Sequence, residues 1–204
     1  MNPNTCTICE MAFSKVMKAR AVTIDTTVMF ADLRGYTTLT QNIAPAGLTS
    51  LLDAFYDDCA AAIWRYDGLL NKTIGDAVFA IFNFPVRRDD HAVQALMAAR
   101  EIQQGFSRKR DELVRAIGIG DVEIGIGIGI DSGETNFGEF GKTHRDLTAV
   151  GTVVNRAARA QAAAKSGEIL VTSAVRHRTG EMVTAAGSDY TLKGFSQPVT
   201  LFSA

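Results

Sequence analysis

The stretch from Val122 to Ile130 alternates isoleucine or valine with glycine or an acid, and no other feature restricts the fold of this chain as strongly. A period of two is the signature of a strand, with the branched residues gathered on one face. Glycine weakens a strand unless some backbone must pass close by. Gly125, Gly127 and Gly129 therefore predict tight packing of a helix or a neighbouring chain against the other face.

The segments around this strand have periods of their own. Val28–Ala31 is a buried-strand run that stops at Asp32, and Arg34-Gly35-Tyr36-Thr37 has turn chemistry. Leu48, Leu51, Leu52, Phe55, Cys59 and Ile63 recur at three- and four-residue steps and predict an amphipathic helix over 45–65. Gly75-Asp76 suits a hairpin turn between arms at 68–74 and 77–82. Asp89 or Asp90 caps a helix running to about residue 110. Short strands are expected at 135–140, 146–150, 168–172, 189–192 and 199–202, with an alanine-rich helix at 152–164 between the second and third. Helices and strands in this order suit an α/β or α+β sandwich, a mixed sheet covered by helices. Residues 1–24 read as an N-terminal linker or signalling helix, and 25–204 as one domain.

Composition narrows the function classes. With 204 residues, 47% hydrophobic, 21% charged and a net charge of -1, the chain can build a core, and its overall charge favours neither nucleic acid nor an acidic membrane as a partner. Its apolar runs fall short of the roughly 18 residues that a spanning helix needs. The first twenty residues lack the pattern of a secretory signal. Cys6, Cys9 and Cys59 have no framework spacing, which agrees with a reducing, cytoplasmic setting.

Two carboxylates stand in similar places, each at the end of an apolar strand beside a glycine turn: Asp32 and Asp76. If the first strand lies beside the hairpin they converge, and at ~4 Å with an effective dielectric of ~20 they would repel by ~4 kcal/mol. A divalent cation removes that repulsion, and oxygen-only ligands favour Mg2+ or Mn2+ over zinc. Either residue alone could simply end a strand. Asn155 and Arg159 are four apart and share a helix face, offering donors to an oxygen gaining charge, though a solvated face would look the same. Lys72 and Thr148 could each meet a base edge or be ordinary surface. Gly138–Thr143 lacks the first glycine of a phosphate loop and a following helix. Asp89-Asp90-His91 fits a helix cap better than a metal cluster, and Cys6-x-x-Cys9 is half a zinc site.

Phe30-Ala31-Asp32-Leu33-Arg34-Gly35-Tyr36-Thr37 resembles the first metal motif of the class III nucleotidyl cyclases. Lys72-Thr73-Ile74-Gly75-Asp76 is similar to their second, with its base-reading lysine. Thr148 through Arg159 resembles the segment carrying the other base contact and the transition-state pair, and Tyr190–Phe195 resembles the closing phosphate-binding motif. The likeness runs from about Thr27 to Phe202. It implies a ferredoxin-like cyclase fold for 25–204, assembled as a head-to-tail homodimer with two shared active sites. Asp32 and Asp76 of one chain would hold two divalent cations, Mg2+ or Mn2+. Lys72, Thr148, Asn155 and Arg159 would come from the other.

By the same resemblance, backbone amides of Leu33, Arg34, Gly35 and Tyr36 would cradle phosphates and Lys193 would neutralise the terminal ones. The lysine–threonine pair goes with ATP in this family, so adenylate cyclase is expected, in signal transduction and attached to a sensor domain. Guanylate cyclase and a catalytically silent nucleotide-binding dimerisation module are the alternatives. Gly127 falls where some relatives carry an extra phosphate-binding arginine.

Overall fold

The computed structural model describes residues 21–117, 124–141, 143 and 146–204; the linker up to residue 20, with Cys6 and Cys9, lies outside them. In chain order the elements are β1 (Ala21–Arg34), α1 (Tyr36–Asn42), α2 (Pro45–Arg65), β2 (Leu69–Ile74), β3 (Ala77–Phe82), α3 (His91–Ile117) and β4 (Gly125–Phe140). They continue with β5 (Asp146–Val150), α4 (Thr152–Ala163), β6 (Ile169–Thr172), α5 (Ser173–Thr179), β7 (Ser188–Tyr190) and β8 (Val199–Ser203). One sheet runs β2-β3-β1-β4-β6-β8-β7, with β5 paired to β4. The β4–β6 pair is parallel and the other pairs are antiparallel. The β2-β3-β1-β4 order is the ferredoxin-like arrangement, in which two consecutive strand–helix–strand passes interleave.

Strand alternation divides the core between two faces. Met29, Ala31 and Leu33, Val78 and Ala80, and Ile126, Ile128 and Ile130 point toward Leu51, Phe55 and Cys59 of α2 and Leu96, Ala99 and Ile102 of α3. On the opposite face Val28, Phe79 and Ile81 meet Val153 and Ala157 of α4, together with Phe137 and Ala149. The glycines of β4 belong to this second face, because its isoleucines occupy the first. A Cβ at Gly129 would fall far inside van der Waals contact with the backbone of Ala157 and Gln161, and one at Gly125 would strike the Ser166 hydroxyl. The close approach inferred from the alternation is thus largely a helix of the same chain. Gly129→Ala should lower stability by ~3 kcal/mol in urea unfolding, the upper range for overpacking, since the obstructing atoms are backbone. Gly125→Ala should cost far less, because a serine side chain can turn aside.

The helix over 45–65, both hairpin arms and the 146–150 strand form where the periods predict. Three expectations are corrected. β1 extends to fourteen residues because its polar first half pairs with the polar second half of β4, where Thr23 donates to Asn136 at 2.8 Å. The strands expected at 122–130 and 135–140 are one continuous β4 from residue 125, a length set by its partner β1. The turn after Arg34 is a single left-handed Gly35 (φ 82°), and α1 starts immediately after it. α5, absent from the sequence reading, is short and has no long apolar stripe to announce it.

Candidate active site

Asp32 sits near the end of β1, opposite Ala77 of β3, so the hairpin turn carrying Asp76 lies beside it. The Leu33 amide donates to the Asp76 carbonyl at 3.0 Å, and the Tyr56 hydroxyl of α2 donates to the Gly75 carbonyl. Gly75 supplies the positive φ of 60° that the turn needs. Together these bonds hold the segments carrying the two carboxylates side by side at one end of the β1–β3 pair. Asp32 is pushed up to about 6 from 3.8, chiefly by burial; the Arg34 cation opposes the rise and the Asp76 charge adds to it. A half-buried carboxylate beside a second one, with oxygen donors only, fits a hard divalent cation.

The same shift has a stability consequence. Below 3.8 the Asp32 carboxyl is protonated folded or unfolded, and as pH rises through about 6 the folded protein must hold a charge that burial disfavours. Asp32→Asn should therefore raise the melting temperature of the metal-free protein above pH 7 and leave it nearly unchanged near pH 4. Added Mn2+ should narrow the gap at high pH by stabilising the wild type.

The Arg34 side chain has a place of its own. It donates to Asp32 Oδ1 at 2.9 Å and to the Gln161 carbonyl at the end of α4, while its Nε is buried without a partner. Its guanidinium occupies the space a side chain at Gly127 would need, with Nε 2.5 Å from an ideal Cβ there. The space beside Gly127 is therefore filled by a guanidinium reaching over from β1. Of the amides expected to cradle phosphate, that of Leu33 is already engaged by Asp76.

Asn155 and Arg159 are both exposed on α4, on the side opposite Val153, Ala157 and Ala160, which face the sheet. They share a face as expected, but that face turns away from the sheet and from Asp32 of the same chain. The helix carrying them is anchored by Arg156, whose Nε donates at 2.6 Å to the fully buried Asp131 of β4. Asp131 also accepts from Thr172 at 2.5 Å and from the Ser132 amide at 2.8 Å. Burial raises its pKa and these bonds oppose the rise, so the ion pair holds α4 against β4.

Lys72 and Thr148, distant in sequence, come together. Thr148 is 9% exposed and donates to Asn71 Oδ1 at 2.8 Å; Asn71 Nδ2 donates to the Leu147 carbonyl at 2.8 Å; Lys72 is paired with Asp146. Pairing of β2 with β3 skips at Asn71, with Leu70 opposite Ala80 and Lys72 opposite Phe79. Such a bulge re-aims side chains, so Asn71 and Lys72 both reach the 146–148 segment instead of opposite faces. Lys193 is exposed between β7 and β8, next to Leu192, which packs against Ala160 and Ala164.

Asn71, Asp146, Arg156 and the Arg34 side chain escaped the sequence reading. Arg156 adjoins Asn155 in the motif, and a charge on the inner flank of an alanine-rich helix was the available signal. Asn71 had none, because alternation hides a bulge. At the start of α3, Asp90 accepts from Gln94 at 2.7 Å, while His91 is buried against Thr27 at 2.7 Å. Among the described residues, no helix is long and apolar enough to cross a membrane.

The family model described as the adenylate and guanylate cyclase catalytic domain matches residues 19–202. An adenylate cyclase of Anabaena cylindrica is 34% identical over 153 residues, covering 73% of this chain and 30% of the relative. The chain spans about a third of the length of the curated relatives it matches. The crystal structure of the adenylyl cyclase CyaB from P. aeruginosa superposes with a TM-score of 0.84 at 28% identity, over 91% of this chain and 95% of that one. The guanylyl cyclase Cya2 superposes with a TM-score of 0.83 at 23% identity, over 91% and 93%, a likeness of fold.

Proposed function

The chain belongs to the adenylate and guanylate cyclase catalytic domain family, and on that premise we propose that it converts ATP to 3′,5′-cyclic AMP and diphosphate. The observation that carries the reading is a division into complementary halves. Asp32 and Asp76 converge at one end of the β1–β3 pair, while Asn155 and Arg159 point away from them on the outer side of α4. Each half is incomplete alone. Two copies set head to tail would complete two pockets, as a family of shared-site enzymes requires.

Asp32 and Asp76 would hold two divalent cations, Mg2+ or Mn2+, which supply acidification of the ribose 3′-hydroxyl and charge neutralisation on the leaving diphosphate. The 3′-oxygen bonds to the α-phosphorus in line, the bond from that phosphorus to the diphosphate oxygen breaks, and the hydroxyl proton passes to solvent. Arg159 of the second copy binds charge growing on the α-phosphate and Asn155 orients the ribose. Amides of Arg34, Gly35 and Tyr36 bind phosphate oxygens, and Lys193 neutralises the terminal phosphate. Lys72 donates to adenine N1 and Thr148 accepts from the adenine amine; their adjacency in one chain supports that assignment. The domain would serve as the cytoplasmic catalytic part of a longer signalling protein.

The test is product analysis with ATP and GTP in Mn2+ and in Mg2+, across protein concentration. Cyclic AMP formation with specific activity rising on dimerisation is expected. Predominant cyclic GMP would make the domain a guanylate cyclase. Nucleotide binding without diphosphate release would make it a silent module.

A further inference from the structure

We infer that Asn71 is a positioning residue for base selection: it fixes the polarity of the Thr148 hydroxyl and so makes this pocket select adenine. The inference rests on the reading above that Thr148 meets the base. A threonine hydroxyl is ambivalent by itself. It can accept from the amine of adenine or donate to the O6 carbonyl of guanine, and it selects neither. Here one of those options is removed by a chain of bonds whose direction is forced at its far end.

The Leu147 carbonyl can only accept, so the group of Asn71 facing it at 2.8 Å is the amide nitrogen. The oxygen of Asn71 must then face Thr148, also at 2.8 Å, and an amide oxygen can only accept. The single hydroxyl proton of Thr148 is thereby engaged, and only lone pairs remain for a ligand. Thr148 is nearly buried, which limits its escape to another rotamer. Lys72 beside it offers only donors, and its ammonium is anchored by Asp146. A donor next to an obligate acceptor matches N1 and the exocyclic amine of adenine. Guanine presents N1–H and O6 in those places, so both contacts would be mismatched. The bulge at Asn71 makes this arrangement available, since regular pairing would turn Asn71 away from Thr148.

The experiment compares kcat/KM for ATP and GTP in the wild type, Asn71→Ala, Asn71→Asp and Thr148→Val, with competitive binding of both nucleotides to the same proteins. Wild type should prefer ATP. Asn71→Ala frees the hydroxyl to donate, so the ATP/GTP ratio should fall at least about tenfold, mainly through a gain on GTP. Asn71→Asp keeps an acceptor toward Thr148 and, when protonated, a donor toward the Leu147 carbonyl, so in assays at the acidic end of the active pH range it should hold the ratio within a few-fold of wild type. Thr148→Val should reduce the ratio through a loss on ATP, and Asn71→Ala should add nothing in that background.

A merely structural role would lower both substrates together and leave the ratio unmoved, and that result overturns the inference. So does a ratio in Asn71→Asp as low as in Asn71→Ala. If Asn71→Ala fails to fold, Asn71→Leu, similar in shape and without an acceptor, takes its place, and a ratio held at the wild-type value in it overturns the inference. A wild type that prefers GTP defeats the adenylate cyclase reading itself, whereas an ATP-preferring wild type with an unmoved Asn71→Ala ratio defeats this inference alone.

Discussion

Asp32→Ala should reduce cyclic nucleotide formation to background at any Mn2+ or Mg2+ concentration, while the protein keeps the fold and association state of the wild type. The expectation follows from the geometry at one end of the β1–β3 pair. Asp32 and Asp76 are held together by the β1–β3 register and by the bond from Leu33 to the Asp76 carbonyl, so neither can move to replace the other. Losing one would leave a single carboxylate for the cations proposed to neutralise a triphosphate and acidify a hydroxyl. The fold should tolerate the change, because Asp32 is held near 6 by burial and its charge is a burden on the metal-free protein. Two measurements check this: diphosphate release, and direct Mn2+ binding followed by electron spin resonance without nucleotide. Turnover near that of the wild type would remove Asp32 from the cation site.

Arg159→Ala should lower kcat about 100-fold with a much smaller change in KM, the pattern of a donor positioned for charge that develops only in the transition state. Its exposure means the substitution costs little stability, so melting temperature should hardly move. Because Arg159 points away from Asp32 of its own chain, the proposed shared pocket would draw the two residues from opposite copies. Mixing Asp32→Ala with Arg159→Ala should then regain about a quarter of wild-type activity, since random exchange gives half heterodimers, each with one intact pocket of two. A mixture that stays as inactive as its components would place both residues in the same half. Either variant alone, titrated against itself, supplies the baseline.

Much of this site is legible because its logic is local. The i, i+4 spacing of Asn155 and Arg159 puts them on one face of any helix, and that is where they lie. An apolar run ending at Asp32, and a glycine turn beside Asp76, hold as features of single segments. The alternation in β4 announced that something must approach its glycine face, and the backbone of α4 does so at Gly129. The strand boundaries that moved most were those set by a partner. β1 and β4 are long because each pairs with the other through polar halves that show no alternation strong enough to read.

Sequence alone thus determined most of the longer elements and several of the side chains available for chemistry, since these follow from periods of two and 3.6 and from short fixed spacings, and its motifs carried the family likeness. Tertiary structure alone decided which of them meet. It brought Asp76 beside Asp32 through pairing across the sheet, laid Arg34 in the space that Gly127 leaves open, and anchored α4 through Arg156 and Asp131. It also placed a bulge at Asn71 that turns two successive side chains to the same neighbour. The physical reason is common to all four. Each depends on register or close approach between segments far apart in the chain, and a local period carries no record of the partner it will meet.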